Sequence, residues 1–151
     1  MEKLFTGMNH VGLTVSDIDQ SVAFYTEIMG MELDNIRYDV DLEYIRTITG
    51  YPDGILHVAF VVSPGLRLEL IQYVQPKGDP HDGRPHNPRS SHLCFATSDA
   101  MKGYALCLEK GIPVINPPVL IDSGPSTGAI AFYLHDPDGY NLEIYQPAVK
   151  S

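Results

Sequence analysis

The sequence predicts an α+β fold made of two tandem βαβββ modules. Three observations lead there: one stretch is written twice, strand-like alternation runs into capped helical stretches in both copies, and a proline-rich segment separates them. The stretch "NHVGLTVSDIDQSVAFYTEIMG" (9–30) lies over "SHLCFATSDAMKGYALCLEKG" (91–111). His10 falls on His92, Ser16 on Ser98, Asp17 on Asp99, Ala23 on Ala105 and Glu27 on Glu109. One deletion then sets Gly30 on Gly111. An internal repeat of this kind constrains the whole topology before any single element is assigned.

Residues 9–15 alternate as a strand, and Ser16-Asp17 then cap a helix on which Ile18, Val22, Tyr25 and Met29 recur at helical spacing, stopped by Gly30. A second strand is expected near 33–45. "ILHVAFVV" (55–62) reads as the third, and "PGLRLELIQY" (64–73) as a turn and the last strand of a first module spanning about 8–74. Residues 75–90, "QPKGDPHDGRPHNPRS", are dense in proline, glycine and charge and read as a linker.

The second module, about 91–147, repeats the order. It has a strand at 91–96 and a helix with Met101, Tyr104, Ala105 and Leu108 on one face. A second strand is expected near 113–121, followed by "GAIAFYLH" (128–135) and "PDGYNLEIYQ" (137–146). "DSGPSTG" (122–128) is either a lid or a plain hairpin connection. Residues 1–151 are expected to act as one domain, because a chain of this length buries about two-thirds of its unfolded surface and neither half alone suffices.

Composition narrows the function classes. Hydrophobic residues make up 44% and charged residues 19%, which describes a globular chain and not a disordered one. With 19 acidic and 10 basic residues the formal charge is −9, so nucleic acid is not an expected partner. Lys77, Arg84 and Arg89 leave room for a local positive patch and an anionic small substrate. The N-terminus lacks a basic start followed by an apolar run, and no apolar stretch approaches membrane-spanning length. Cys94 and Cys107 form no CxxC pair, so reduced thiols in a cytoplasmic protein are expected.

Strand parity singles out four residues. Successive strand side chains point to opposite faces. If Val11, Leu13 and Val15 pack on the helix, His10, Gly12 and Thr14 face away. By the same reasoning His92, Cys94 and Ala96 face away in the second copy, as do Arg67, Glu69 and Ile71 in one last strand and Glu143 and Tyr145 in the other. A lone strand histidine is ordinarily a hydrogen-bonded or half-exposed residue, and a lone strand glutamate ordinarily faces solvent. Here each copy places one His and one Glu on the same face. Should the two sheets face each other, two imidazoles and two carboxylates converge with no cation but Arg67 on those faces. A divalent ion such as Zn, Ni, Co, Mn or Fe(II) is then the economical counter-charge.

The paired modules and the His10…Glu69…His92…Glu143 pattern resemble the vicinal oxygen chelate superfamily. That superfamily includes glyoxalase I, methylmalonyl-CoA epimerase, extradiol dioxygenases and the fosfomycin and bleomycin resistance proteins. "NHVGLTVSD", "FYTEIMGMEL" (24–33) and "DPDGYNLEIYQP" (136–147) carry the resemblance, which runs from about Met8 to Gln146. It implies an open, U-shaped mixed sheet around one metal held by His10, Glu69, His92 and Glu143, and frequently a homodimer. It further implies a small substrate that chelates through two adjacent oxygens, with proton transfer through a metal-stabilised enolate, as in a glyoxalase-like lyase or an epimerase-like isomerase. Glu143 is the first candidate for the catalytic base by this resemblance and Glu69 the second.

Four ligands argue against an extradiol dioxygenase, which uses two His and one carboxylate, and against a bleomycin-binding module, which lacks the ligands. Smaller readings concern His57 as a structural or cleft-lining residue, and Arg37 and Arg67 as substitutes for a glutathione-binding arginine. They also take in Glu43 in "DLEYIRT" as a second base on a middle strand, Tyr73 and Tyr145 as substrate contacts, Cys94 as a small lining residue, and His81 and His86 as solvated linker residues.

Overall fold

The computed structural model describes residues 4–79 and 83–149. The chain divides into two compact units, Met1–Pro80 and His81–Ser151, with the division inside the expected linker. The α+β architecture is as expected: two four-stranded mixed sheets and three helices. His81 lies outside the described residues, and His86 is exposed.

In the first unit β1 (Val11–Thr14) leads to α1 (Ile18–Ala23), followed by β2 (Glu32–Val40), α2 (Glu43–Thr49), β3 (Ile55–Ser63) and β4 (Leu66–Gln75). The sheet order is β1-β4-β3-β2, with β1 parallel to β4 and the other pairs antiparallel. The second unit repeats this with β5 (His92–Ala96), α3 (Ala100–Glu109), β6 (Val119–Leu120), β7 (Ile130–His135) and β8 (Asn141–Gln146). Its order is β5-β8-β7-β6, again with the first and last strands parallel. One face of each sheet is dry. Leu13, Ala59, Val61, Leu68 and Leu70 are buried in the first, and Phe132, Leu134, Leu142 and Ile144 in the second. Burial of such side chains is the main favourable term, roughly 1.5–3 kcal/mol for each large one.

The helices are pinned to their sheets by a device that repeats. Asp17 and Asp99 cap α1 and α3, accepting from the backbone N–H groups of Gln20 (2.9 Å) and Lys102 (3.0 Å). The next orphan amides are met from the last strand: Gln72 Oε1 accepts from Ile18 N–H and Gln146 Oε1 from Ala100 N–H, both at 2.8 Å. Each last strand therefore holds the helix start as well as the sheet.

Several details differ from expectation. The second strand ends at Val40, and residues 43–49 form α2 instead of continuing it. Glu43 is consequently an exposed residue in the first turn of a helix and not a base on a middle strand. α1 passes into a π-helical turn at Phe24–Ile28, where Met29 N–H reaches Phe24 C=O. The wider turn shifts the helical phase, so Ile18, Ser21, Phe24 and Tyr25 are buried, while Val22 and Met29 lie only at the margin. On α3 the buried residues are Ala100 and Cys107, whereas Met101 and Leu108 are 59% and 54% exposed. Small residues mark the contact face because the helix lies close to the sheet: a Cβ at Gly103 would sit 3.9 Å from the Phe132 ring. The 122–128 segment is a closed hairpin connection, with Gly128 N–H bonded to Ile121 C=O and Ile121 N–H to Ala129 C=O.

Two outcomes are expected. Gln72→Leu or Gln146→Leu strands a part-buried helix amide and lowers unfolding free energy in urea by about 1–3 kcal/mol. Asp99 has its pKa held below 3.8, first by the Lys102 backbone N–H. A depressed carboxylate stabilises above its ordinary pKa and ceases to do so as pH falls through the folded value. In acid titration followed by circular dichroism, Asp99→Asn, which caps without charge, loses less stability below about pH 3.8 than the parent does.

Candidate functional site

In each unit the functional face is the side of the sheet away from its first helix. β1 and β4 run parallel with Gly12 opposite Glu69, and β5 and β8 with Cys94 opposite Glu143. The histidine precedes the opposed residue by two positions, so it shares that face and sits diagonally to the glutamate. His10 Nε2 lies 3.1 Å from Glu69 Oε2, and His92 Nε2 lies 3.2 Å from Glu143 Oε2. The glutamates are mostly covered, at 23% and 18% side-chain exposure, while the imidazoles are open at 36% and 49%. This geometry starts at the turn before each last strand. Gly65 (φ 80°) and Gly139 (φ 85°) both occupy the left-handed region four residues before the glutamate. Asp136 Oδ1 ties the second turn by accepting from the N–H groups of Asp138 (3.0 Å) and Tyr140 (2.8 Å).

The four residues singled out from sequence are thus brought together two and two, each pair within its own unit. Among the described residues, no three His, Cys, Asp or Glu side chains form a single group. Each pair does suit a divalent ion. Two cis donors, each about 2.1 Å from one ion, stand about 3.0 Å apart at a right angle, close to the separations found. Imidazole nitrogen and carboxylate oxygen are also the donor types such ions take. The same spacing also serves a direct imidazole–carboxylate contact, which is what each pair makes here.

The neighbours of the two pairs are not alike. In the first unit Phe60 stands opposite Glu69, and its ring meets His10 edge-on at 5.7 Å. In the second, Tyr133 stands opposite Glu143, meets His92 in the same way at 5.6 Å, and donates its hydroxyl to Glu143 Oε2 at 3.0 Å. Burial, followed by that hydrogen bond and the Glu143 charge, pushes the Tyr133 phenol up to about 12. Cys94 adds a thiol beside the same carboxylate; burial first and Glu143 second raise its pKa, so it is a thiol and not a nucleophilic thiolate. Sequence reasoning missed Phe60 and Tyr133. The available signal was their place one strand in from the glutamates, which only a settled register exposes.

The remaining residues fall into place by parity. His57 shares the helix-side face with Ala59 and Val61; its Nδ1 accepts from Asp39 N–H at 3.0 Å and its ring packs on Tyr38 at 5.1 Å. It is a structural histidine, holding Asp39 at a φ of 48°. Arg67 is on the Glu69 face, 4.0 Å over the Phe60 ring and paired with Asp34 at 3.1 Å. Arg37, opposite Val58, lies on that face too and is exposed. Tyr73 packs against Tyr51 at 5.6 Å, and burial raises its pKa, with smaller contributions from Tyr51 and Glu69. Tyr145 is half-buried opposite Ala96. Lys77, Arg84 and Arg89 are exposed. Among the described residues, no helix is long and apolar enough to cross a membrane.

Comparison with known proteins agrees with the fold. A family model described as the Glyoxalase/Bleomycin resistance protein/Dioxygenase superfamily matches residues 7–144. A 2-epi-5-epi-valiolone epimerase from an Actinomyces species is 32% identical over 91% of this chain and 77% of its own. A probable lactoylglutathione lyase from Vibrio parahaemolyticus is 33% identical over 91% of this chain and 88% of its own. Among solved structures, a glyoxalase family protein from Bacillus cereus superposes with a TM-score of 0.81 at 18% identity, covering 98% of each chain.

His57→Ala is expected to cost about 0.5–1.5 kcal/mol in denaturant unfolding through its lost hydrogen bond, with divalent-ion affinity by titration unchanged. A comparable loss of affinity would place His57 in the site.

Proposed function

Because the chain belongs to the Glyoxalase/Bleomycin resistance protein/Dioxygenase superfamily, we propose that it is a divalent-metal-dependent isomerase or lyase acting by proton transfer on a small substrate with two adjacent oxygens. The observation that carries this reading is the duplicated His–Glu pair, 3.1 Å in one unit and 3.2 Å in the other, at matching positions of the two sheets. In this reading His10, Glu69, His92 and Glu143 hold one ion between them. When bound, a divalent ion supplies Lewis-acid stabilisation of negative charge on the substrate's paired oxygens. The relatives support the class, since one is named an epimerase and another a probable lactoylglutathione lyase. Both names belong with proton transfer and neither with oxygen chemistry.

The chain's own residues then have distinct tasks. His10 and His92 present Nε2 and keep their rings fixed against Phe60 and Tyr133. Glu69 and Glu143 are the two carboxylates able to take a substrate proton: the C–H bond breaks, a carboxyl O–H forms, and the electron pair stays with the substrate. Return of the proton to the same carbon from the other side gives an epimerase, and return to the neighbouring carbon gives the lyase-type rearrangement. Gly12 and Ala96 keep the functional face open, and the exposed Arg37 offers a cation to an anionic group on the substrate.

The test is made on protein purified without chelators or an affinity tag. One divalent ion per chain is expected, with solvent deuterium entering a hemithioacetal, a 2-oxo acid or an α-hydroxy ketone. His10→Ala and His92→Ala should each weaken ion binding at least about tenfold and abolish deuterium uptake. A chain that takes up no ion and gains no thermal stability from any overturns the reading. Oxygen consumption with a catechol would select a dioxygenase instead, and ligand binding without an ion a drug-sequestering module.

A further inference from the structure

The two half-sites have the same backbone and different chemistry at one ladder position. Facing Glu143 from the adjacent strand is Tyr133, whose hydroxyl reaches the carboxylate at 3.0 Å; facing Glu69 at the equivalent register is Phe60, which carries no donor. The residue on the other flank differs in the same sense. Cys94 stands opposite Glu143 across the ladder, whereas its counterpart Gly12 has no side chain, and a Cβ built there would stand 3.8 Å from Glu69 Oε2. Glu143 therefore has two side-chain partners, His92 and Tyr133. Among the described residues, Glu69 has His10 as its one hydrogen-bonding or ion-pair partner. Arg67, on the Glu69 face, is engaged by Asp34 and by the Phe60 ring.

We propose that Tyr133 is a positioning residue for Glu143, and that it makes the two carboxylates unequal: Glu143 is the fixed ligand and Glu69 the one free to detach. The inference rests on the reading of the four residues as a metal site and goes beyond it by assigning the halves different tasks. It reverses the order that the resemblance implied, in which Glu143 was the first candidate for the mobile base. A hydroxyl donated to a ligating carboxylate restricts its rotamers and its exchange between binding modes, which is how outer partners tune affinity. A carboxylate held only through an imidazole has no such restraint, and freedom to leave its place is what a proton acceptor beside an ion needs.

The experiment uses the metal alone. The full chain is titrated with Zn²⁺ or Mn²⁺ in competition with a chromophoric chelator, and melting of the metal-free protein is followed in parallel. Tyr133→Phe is expected to weaken binding about 10- to 100-fold while the metal-free protein melts as the parent does. In a Glu143→Ala background, Tyr133→Phe should have no further effect, because the two then share one pathway. Glu143→Ala should cost at least tenfold more affinity than Glu69→Ala. The proposal is overturned if Tyr133→Phe binds like the parent, if its effect persists without the Glu143 carboxylate, or if Glu69→Ala costs as much as Glu143→Ala. Those outcomes leave the metal-site reading intact, whereas a parent protein that binds neither ion overturns both.

Discussion

Parallel pairing of the first and last strands of each module governs everything on the functional face. With Gly12 opposite Glu69, and Cys94 opposite Glu143, the histidine two residues earlier shares a face with the glutamate and lies within 3.1 or 3.2 Å of it. A slip of one residue in either ladder would turn the glutamate to the helix side. There it would meet Leu13, Ala59 and Val61, or Phe132 and Leu134, all buried on neighbouring strands, and an uncompensated carboxylate would cost several kcal/mol. The apolar face thus sets the register, and the register sets the site. The buried face and the His–Glu face are fixed by the same alternation, read from opposite sides of the sheet.

The helices enter through the same strands. Gln72 and Gln146 lie three residues beyond their glutamates and accept from the first free amide of α1 and of α3. Each last strand therefore carries a site residue on one face and a helix anchor on the other. The turns ahead of these strands complete the constraint, since Gly65 and Gly139 at positive φ fix where the ladder begins. A site assembled this way needs no loop to hold it. Its donors sit on rigid pairs whose backbone hydrogen bonds are already made.

How far the sequence disclosed this depends on which interaction decided each feature. The duplication, the strand–cap–helix order and the His–Glu parity were all legible, because local alternation and capping chemistry are written in consecutive residues. The end of β2 at Val40 was not: "DLEYIRT" has enough β-branched and aromatic character for a strand, and α2 prevails through helix closure by Gly50 at φ 75°. The buried face of α3 was misjudged for a different reason. Met101 and Leu108 look like core residues, yet the Gln146 bond to Ala100 holds the helix with Ala100 buried and the Gly103 backbone close to the Phe132 ring. The π-helical turn at Phe24–Ile28 likewise breaks a 3.6 period that the apolar spacing of the sequence continues. Tyr133 and Phe60 lay hidden because their partners are defined only by pairing across strands.

Duplication creates two His–Glu pairs that begin equivalent, and the ladder shows how cheaply equivalence is lost. Phe60 and Tyr133 occupy the same register, pack edge-on against the same histidine position and differ by one oxygen. The His–Glu spacing is nearly the same beside either ring, while only Tyr133 gives the neighbouring carboxylate a hydrogen-bond donor. The same holds for Gly12 and Cys94. Positions that face the carboxylates without holding the core are where two copies of one module can take different tasks.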